Sequence, residues 1–305
     1  MRRPETAKWQ SSDVIRVDAD IYLKEIITIS IHHREKRKGE RMSDQNLFSG
    51  EMTEKQRLFR EEYKQNIAKW YSGWGHLLSI YVPGMAVIAF CISRIENLNW
   101  LEILLLLPIL VVYNFNEWWI HKNAMHKPVK GLGGALLPVF HRHVHQHHQY
   151  FTSKRMTYDA SREWRIVLFP PYALLIFVLG TIPVALFVGY LWTPNAGYVV
   201  MLSTPVYYLN YETFHLCCHV RENWFVRHCP LINTIRRHHA AHHSQHIMMA
   251  RNMNLTYPIA DWYMGTSDLD RGLIGHLFNG YNQNHIKSEF RSDQGIELEQ
   301  TVSTS

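Results

Sequence analysis

Cysteine is scarce in this 305-residue chain. Its four cysteines, Cys91, Cys217, Cys218 and Cys229, form no C-x-x-C pair, which excludes a zinc ribbon and a disulfide scaffold. Sixteen glycines and twelve prolines are too few for a collagen-like or low-complexity chain. There is no G-x-G-x-x-G fingerprint, no C-x-x-C-H haem site and no four-cysteine cluster spacing, so the chain carries no redox relay of those kinds. No repeat of solenoid period is present, and no secretory signal is visible at the start. Charge is missing over long stretches: residues 70–93 and 166–211 contain no Asp, Glu, Lys or Arg.

Those uncharged stretches carry the fold. A bilayer crossing needs about 20 apolar residues. The run 70–93 supplies one crossing, and 100–120 a second, with Glu102 and Glu117 near its ends. The 46 residues 166–211 supply two more, joined by a turn at 192–197 that holds Thr193, Pro194 and Asn195. The expectation is an all-α integral membrane protein with about four transmembrane helices, near 75–94, 100–120, 166–190 and 197–212. An amphipathic helix at 53–70, with Leu58, Tyr63, Ile67 and Trp70 on one face, is expected to precede them at the membrane surface. The amphipathic and spanning segments together make a membrane-embedded domain at 53–281. It is expected between a polar amino-terminal region at 1–52 and a disordered tail at 282–305.

The basic residues set the orientation. Residues 121–165 hold eight Lys/Arg against two Asp/Glu, and residues 1–70 hold fifteen against twelve. By the positive-inside rule both regions, and hence both termini, face the cytoplasm. The net charge of +6 is divided between these loops and forms no single stripe, so no nucleic-acid partner is expected.

What the sequence has in excess is histidine, 20 residues, of which fifteen fall between His121 and His246. They form four boxes at the cytoplasmic ends of the expected spans. These are His121 with His126; His141, His143, His145, His147 and His148; His215 with His219; and His238, His239, His242 and His243. On a helix, residues three or four apart share a face. His215 and His219 can therefore grip one ion, as can His239, His242 and His243. In the second box the stripe 143/147/148 and the stripe 141/145/148 are equally good, and spacing does not choose between them. Ten imidazoles exceed the four to six ligands of one ion and suit two ions in a cytoplasmic helical cap. Glu117 and Glu212 precede His121 and His215 by four and three residues, which makes them candidate carboxylate partners of ligating imidazoles. His76, His228, His276 and His285 are read as structural, and His32 and His33 as exposed. The apolar stretch 131–140, too short to span, is read as an interfacial or buried loop.

The ordered boxes H-x4-H, H-x3-HH, H-x3-H and H-x2-HH, separated by hydrophobic hairpins, resemble the fatty acid hydroxylase and sterol desaturase superfamily. Trp164-Arg-Ile-Val-Leu-Phe-Pro-Pro171 resembles the entry to the second hairpin there, and Asn252-Met-Asn-Leu-Thr256 with Asp261-Trp262 the segment after the last box. The resemblance implies a two-metal site, expected to be iron, with zinc as an ion that purified protein can hold. The implied ligands are His121, His126, His143, His147, His148, His215, His219, His239, His242 and His243. Box two departs from the H-x2-HH of many acyl hydroxylases, and His145 and His141 stay open as rivals to His143. The implied activity is O2-dependent hydroxylation of a C–H bond of a fatty acyl, sphingolipid or sterol-type lipid drawn from the bilayer. Electrons would come from an external cytochrome b5-like or ferredoxin-like donor.

Three other readings compete. A desaturase would use the same site. A membrane metal-binding or transport protein would hold metal without consuming O2. A zinc hydrolase would want a carboxylate base among fewer ligands.

Overall fold

The computed structural model describes residues 50–131 and 134–291. Most of the expected amino-terminal region 1–52, and residues 292–305 of the expected tail, lie outside these. Among the described residues there is no strand, only an isolated antiparallel bridge between Leu269 and Ile286. The main helices are α1 (Glu54–Gln65), α2 (Gly73–Arg94), α3 (Trp100–Met125), α4 (Tyr172–Leu191), α5 (Pro194–His219), α6 (Pro230–His242) and α7 (Ile259–Tyr263).

Three of them, α2, α3 and α4, are long and apolar enough to cross a membrane. At 1.5 Å per residue, the 22 residues of α2 reach about 33 Å, matching a hydrocarbon core of about 30 Å. Leu78, Val82, Phe90, Leu107, Leu175 and Phe187 stand exposed on them, as lipid-facing side chains would. The fourth expected span falls within α5. This helix is as long as α3, 26 residues, but it is not among the three: Pro194, Asn195 and Pro205 in its first part and Asn210, Glu212, His215 and His219 in its second lower its hydropathy.

The ends of these helices are fixed by ordinary caps. Ser72 accepts from Gly75 N at the start of α2, Asn99 and Glu102 form a reciprocal capping box at the start of α3, and Thr193 accepts from Ala196 N before α5. Glu102 also accepts from Thr193 Oγ1 at 2.5 Å and from Asn195 Nδ2 at 3.3 Å. One buried carboxylate thus ties the α4–α5 turn to the start of α3, at the end away from the histidines. At the same turn a Cβ on Gly197 would lie 2.7 Å from the Ala185 carbonyl, so glycine is what lets α4 and α5 meet there.

Two expectations need correction. The amphipathic helix ends at Gln65, and its buried face is Gln56, Arg60 and Tyr63, while Leu58 and Trp70 are exposed. Arg60 is buried because its guanidinium finds acceptors: the Thr157 carbonyl at 3.1 Å, Glu163 at 3.2 Å and Asp159 at 3.3 Å. Residues 282–291, expected as part of a disordered tail, are folded. Ile286 and Phe290 pack with Ala241, Ile247 and Leu269, which polar composition on either side conceals. Of the loop expected at 131–140, Leu137–Phe140 forms one helical turn leading into the second histidine box.

Candidate metal centre

The four boxes converge at one end of the helical bundle, and the type of helix decides which histidines meet. α3 ends in a π-helical turn, His121–Met125, and His126 N–H donates to the His121 carbonyl five residues back at 3.1 Å. The second box is π-helical as well, over His141–His147, with His148 N–H donating to the His143 carbonyl. Bonds of this kind, rare outside functional sites, bring residues five apart together. His121 therefore pairs with His126, and His143 with His148. His215 and His219, four apart on the ordinary α-helix α5, share a face.

Two groups result. The first is His121, His126, His143, His148 and His242; the second is His147, His215, His219 and His239. Within each group the ligand nitrogens lie within 4.8 Å of one another, and every member is buried. The structure places the rivals of box two apart. His143 is inside, while His141 and His145 are exposed and pack against each other, ring centres 5.1 Å apart. The expectation that His239, His242 and His243 grip one ion is corrected: α6 gives His239 to the second group and His242 to the first. His243 belongs to neither set. It lies against both, its ring 4.3 Å from His148 and its Nε2 3.1 Å from His239 Nε2.

The donor set fits cations better than hydrogen bonds. His143 Nε2 lies 2.8 Å from His121 Nε2, 3.0 Å from His126 Nε2 and 3.1 Å from His148 Nε2. One imidazole nitrogen has either one hydrogen or one lone pair, and so cannot satisfy three neighbours. Tautomers sharpen the point. Nδ1–H of His121 donates to the Met253 carbonyl at 2.5 Å, and Nδ1–H of His242 to the Arg251 carbonyl at 2.8 Å. In the second group His147 donates to Ile166 O at 3.2 Å and His219 to Met156 O at 2.7 Å, and His243 donates to Phe151 O at 2.9 Å. With Nδ1 carrying the hydrogen, each neutral ring turns an Nε2 lone pair inward. Converging lone pairs repel unless a cation lies between them. Two ligands at right angles on an ion at about 2.1 Å stand about 3.0 Å apart, which is the separation found here.

Burial, then the neighbouring imidazoles, hold His143, His148, His239 and His242 well below the usual histidine range, and His126 is pushed down to about 2. His147 and His243 shift the same way, chiefly through burial. These rings are neutral and ready to bind metal at neutral pH. A stability prediction follows from the sign. Unfolded histidine titrates near 6.5, so below about that pH the unfolded chain binds more protons than the folded one. Stability is then complete above about pH 6.5 and is lost as pH falls, by up to about 1.4 kcal/mol per pH unit for each such ring. The thermal midpoint of metal-free protein is expected to fall steadily from pH 7.5 to pH 5. A flat or rising midpoint would contradict buried neutral imidazoles.

Among the described residues the carboxylates of Glu117 and Glu212 hydrogen-bond to no histidine, which corrects their expected role. Glu117 accepts from Leu255 N, from Thr256 N at 3.1 Å and from Thr256 Oγ1 at 2.6 Å, and so anchors the strip whose Met253 and Arg251 carbonyls orient His121 and His242. Glu212 accepts from Phe169 N at 3.1 Å and steadies the turn whose Ile166 carbonyl orients His147. His238, the first residue of box four, was missed as a positioning group. Its Nε2 pairs with Asp261 Oδ2 at 3.0 Å, and Asp261 also accepts from Asn254 N at 2.7 Å. The Asp261-Trp262 pair was the available signal. Of the histidines read as structural, His76 bonds Tyr71 and the Phe169 carbonyl, and none of His76, His228, His276 and His285 belongs to either group.

A cavity of about 590 Å³ leads to this centre between α3, α4 and α5. It runs from Leu105 and Val188 to His121 and Met125 and is lined mainly by aliphatic and aromatic side chains.

Residues 106–266 match the family described as fatty acid hydroxylase. No curated protein and no solved structure matches the chain.

Proposed function

The chain belongs to the fatty acid hydroxylase family, and on that premise we propose that it is a membrane lipid hydroxylase, an O2-dependent oxidoreductase working through two iron ions. The observation that carries this reading is the contact of an apolar cavity with the first of the two buried histidine groups: His121 belongs to that group and also lines the cavity. Metal held by the two groups supplies O2 activation for oxidation of an unactivated C–H bond. The ten implied ligands hold it, with His243 joining His147, His215, His219 and His239.

The remaining residues bind and orient. The cavity takes a lipid chain and keeps water from the reacting carbon. Measured along α3 from Leu105 to His121 it is about 24 Å long, room for a long acyl chain. At its histidine end the Tyr211 hydroxyl is buried without a hydrogen-bond partner. It is placed to donate to a polar atom of the lipid beside the carbon that is oxidised. In this reading α5 is the fourth crossing, and the histidines and both termini face the cytoplasm. The basic loop with Lys122, Lys127 and Lys130 then faces the same side, where an external electron donor of the cytochrome b5 or ferredoxin type docks.

The test is a comparison of lipid masses between cells making the wild type and cells making His242→Ala, under air. A lipid that gains one oxygen only with the wild type is the expected result. Loss of two hydrogens would make the chain a desaturase. Two bound metal ions with no O2 uptake by purified protein given reductant and membrane lipids would favour metal binding alone.

A further inference from the structure

The cavity holds a polar feature that the metal centre does not use. Halfway along it, hydroxyls from three helices meet: Tyr113 of α3, Thr204 of α5 and Thr181 of α4, all lining the cavity. Tyr113 Oη lies 2.7 Å from Thr204 Oγ1, Thr204 Oγ1 lies 2.7 Å from Thr181 Oγ1, and Thr181 Oγ1 lies 2.9 Å from the Phe177 carbonyl. Four oxygens in a row leave three gaps, and the row has three hydroxyl hydrogens. The carbonyl at its end can only accept. A single arrangement puts a hydrogen in every gap: Thr181 donates to Phe177, Thr204 to Thr181, and Tyr113 to Thr204. Tyr113 Oη has then used its hydrogen and keeps its lone pairs. In an apolar cavity, leaving such an acceptor unpaired against methylenes costs about 1–3 kcal/mol.

We propose that Tyr113 Oη is a specificity-determining acceptor for a hydroxyl group carried by the lipid, about 12 Å from the carbon presented to the metal centre. The distance comes from the eight residue steps from Tyr113 to His121 on α3, at about 1.5 Å each. The inference rests on the reading of the cavity as the lipid site. It narrows the substrate class to lipids with a hydroxyl at that depth.

The test uses full-length, metal-loaded protein in lipid nanodiscs. Displacement of a fluorescent fatty acid is measured with octadecanoate and with positional series of hydroxy- and oxo-octadecanoates. Hydroxyl at one narrow set of carbons is expected to bind about tenfold tighter than octadecanoate or than the oxo compound at the same carbon, the scale of one well-placed hydrogen bond. Tyr113→Phe is expected to erase that advantage and leave octadecanoate unchanged. Thr181→Val is expected to reverse it. Thr204, deprived of its acceptor, donates to Tyr113 and frees the phenol hydrogen, so the oxo compounds become the better ligands. Equal binding of hydroxy and plain acids by the wild type overturns the proposal, as does an advantage that survives Tyr113→Phe. Failure of every fatty acid to displace the probe would remove the lipid-oxidation reading itself.

Discussion

His143→Gln is expected to cost the protein bound metal and to lower lipid oxidation more than about a hundredfold, while His145→Gln leaves both unchanged. The two residues are two positions apart in one box and stand in opposite places. His143 Nε2 sits within 3.1 Å of three other imidazole nitrogens. His145 is exposed and packs against His141 and Phe140. Loss even of an indirect partner of a metal ligand typically costs ten- to a hundredfold, so removal of a central ligand should cost more. Metal per chain, measured by elemental mass spectrometry beside activity, separates loss of the ion from loss of the fold. Equal damage from the two substitutions would mean that the π-helical register of box two is wrong.

The same box shows how far the sequence could be read. The four histidine boxes and their position at one end of the bundle followed from spacing and hydropathy, whereas the choice of ten residues among their members was what the family resemblance implied. The division into two groups did not follow. It depends on whether a turn closes at four residues or five, and His121–Met125 and His141–His147 give no compositional sign of π-helical winding. The roles of Glu117 and Glu212 were missed for another physical reason. The groups that orient His121, His147 and His242 are backbone carbonyls of Met253, Ile166 and Arg251, which every residue type possesses. The sequence marks only the glutamates that hold those strips of backbone in place. Arg60 is a third case: a charge reads as solvated until its acceptors, a hundred residues away, are brought beside it. The hydrophobic runs were plain for α2, α3 and α4. α5 is mixed because its second half serves the metal centre, with four polar or ionisable residues that a lipid-facing helix would not carry.

The cavity permits one further large effect, at Gly180. This residue lines the cavity midway along α4, and a Cβ built on it would meet nothing within 4 Å. Gly180→Phe therefore meets no neighbour at its Cβ, its ring is expected to extend into the cavity that Gly180 lines, and the helix itself gains by losing a glycine. Gly180 neighbours Thr181, whose hydroxyl contacts the row ending at Tyr113, so the ring blocks the cavity about 12 Å from His121. Chains that end before that depth should be oxidised as by the wild type. Longer chains must leave their last methylenes outside. Four methylenes at about 0.8 kcal/mol each come to about 3 kcal/mol, or more than about a hundredfold in kcat/KM. Metal content should stay at the wild-type level and the thermal midpoint should hold or rise slightly. A loss confined to long chains identifies this cavity as the path to the metal centre, because nothing at the histidines has changed. Equal turnover of long and short chains by Gly180→Phe would mean that the lipid reaches the histidines from another side, and the acceptor at Tyr113 would then have no substrate to meet.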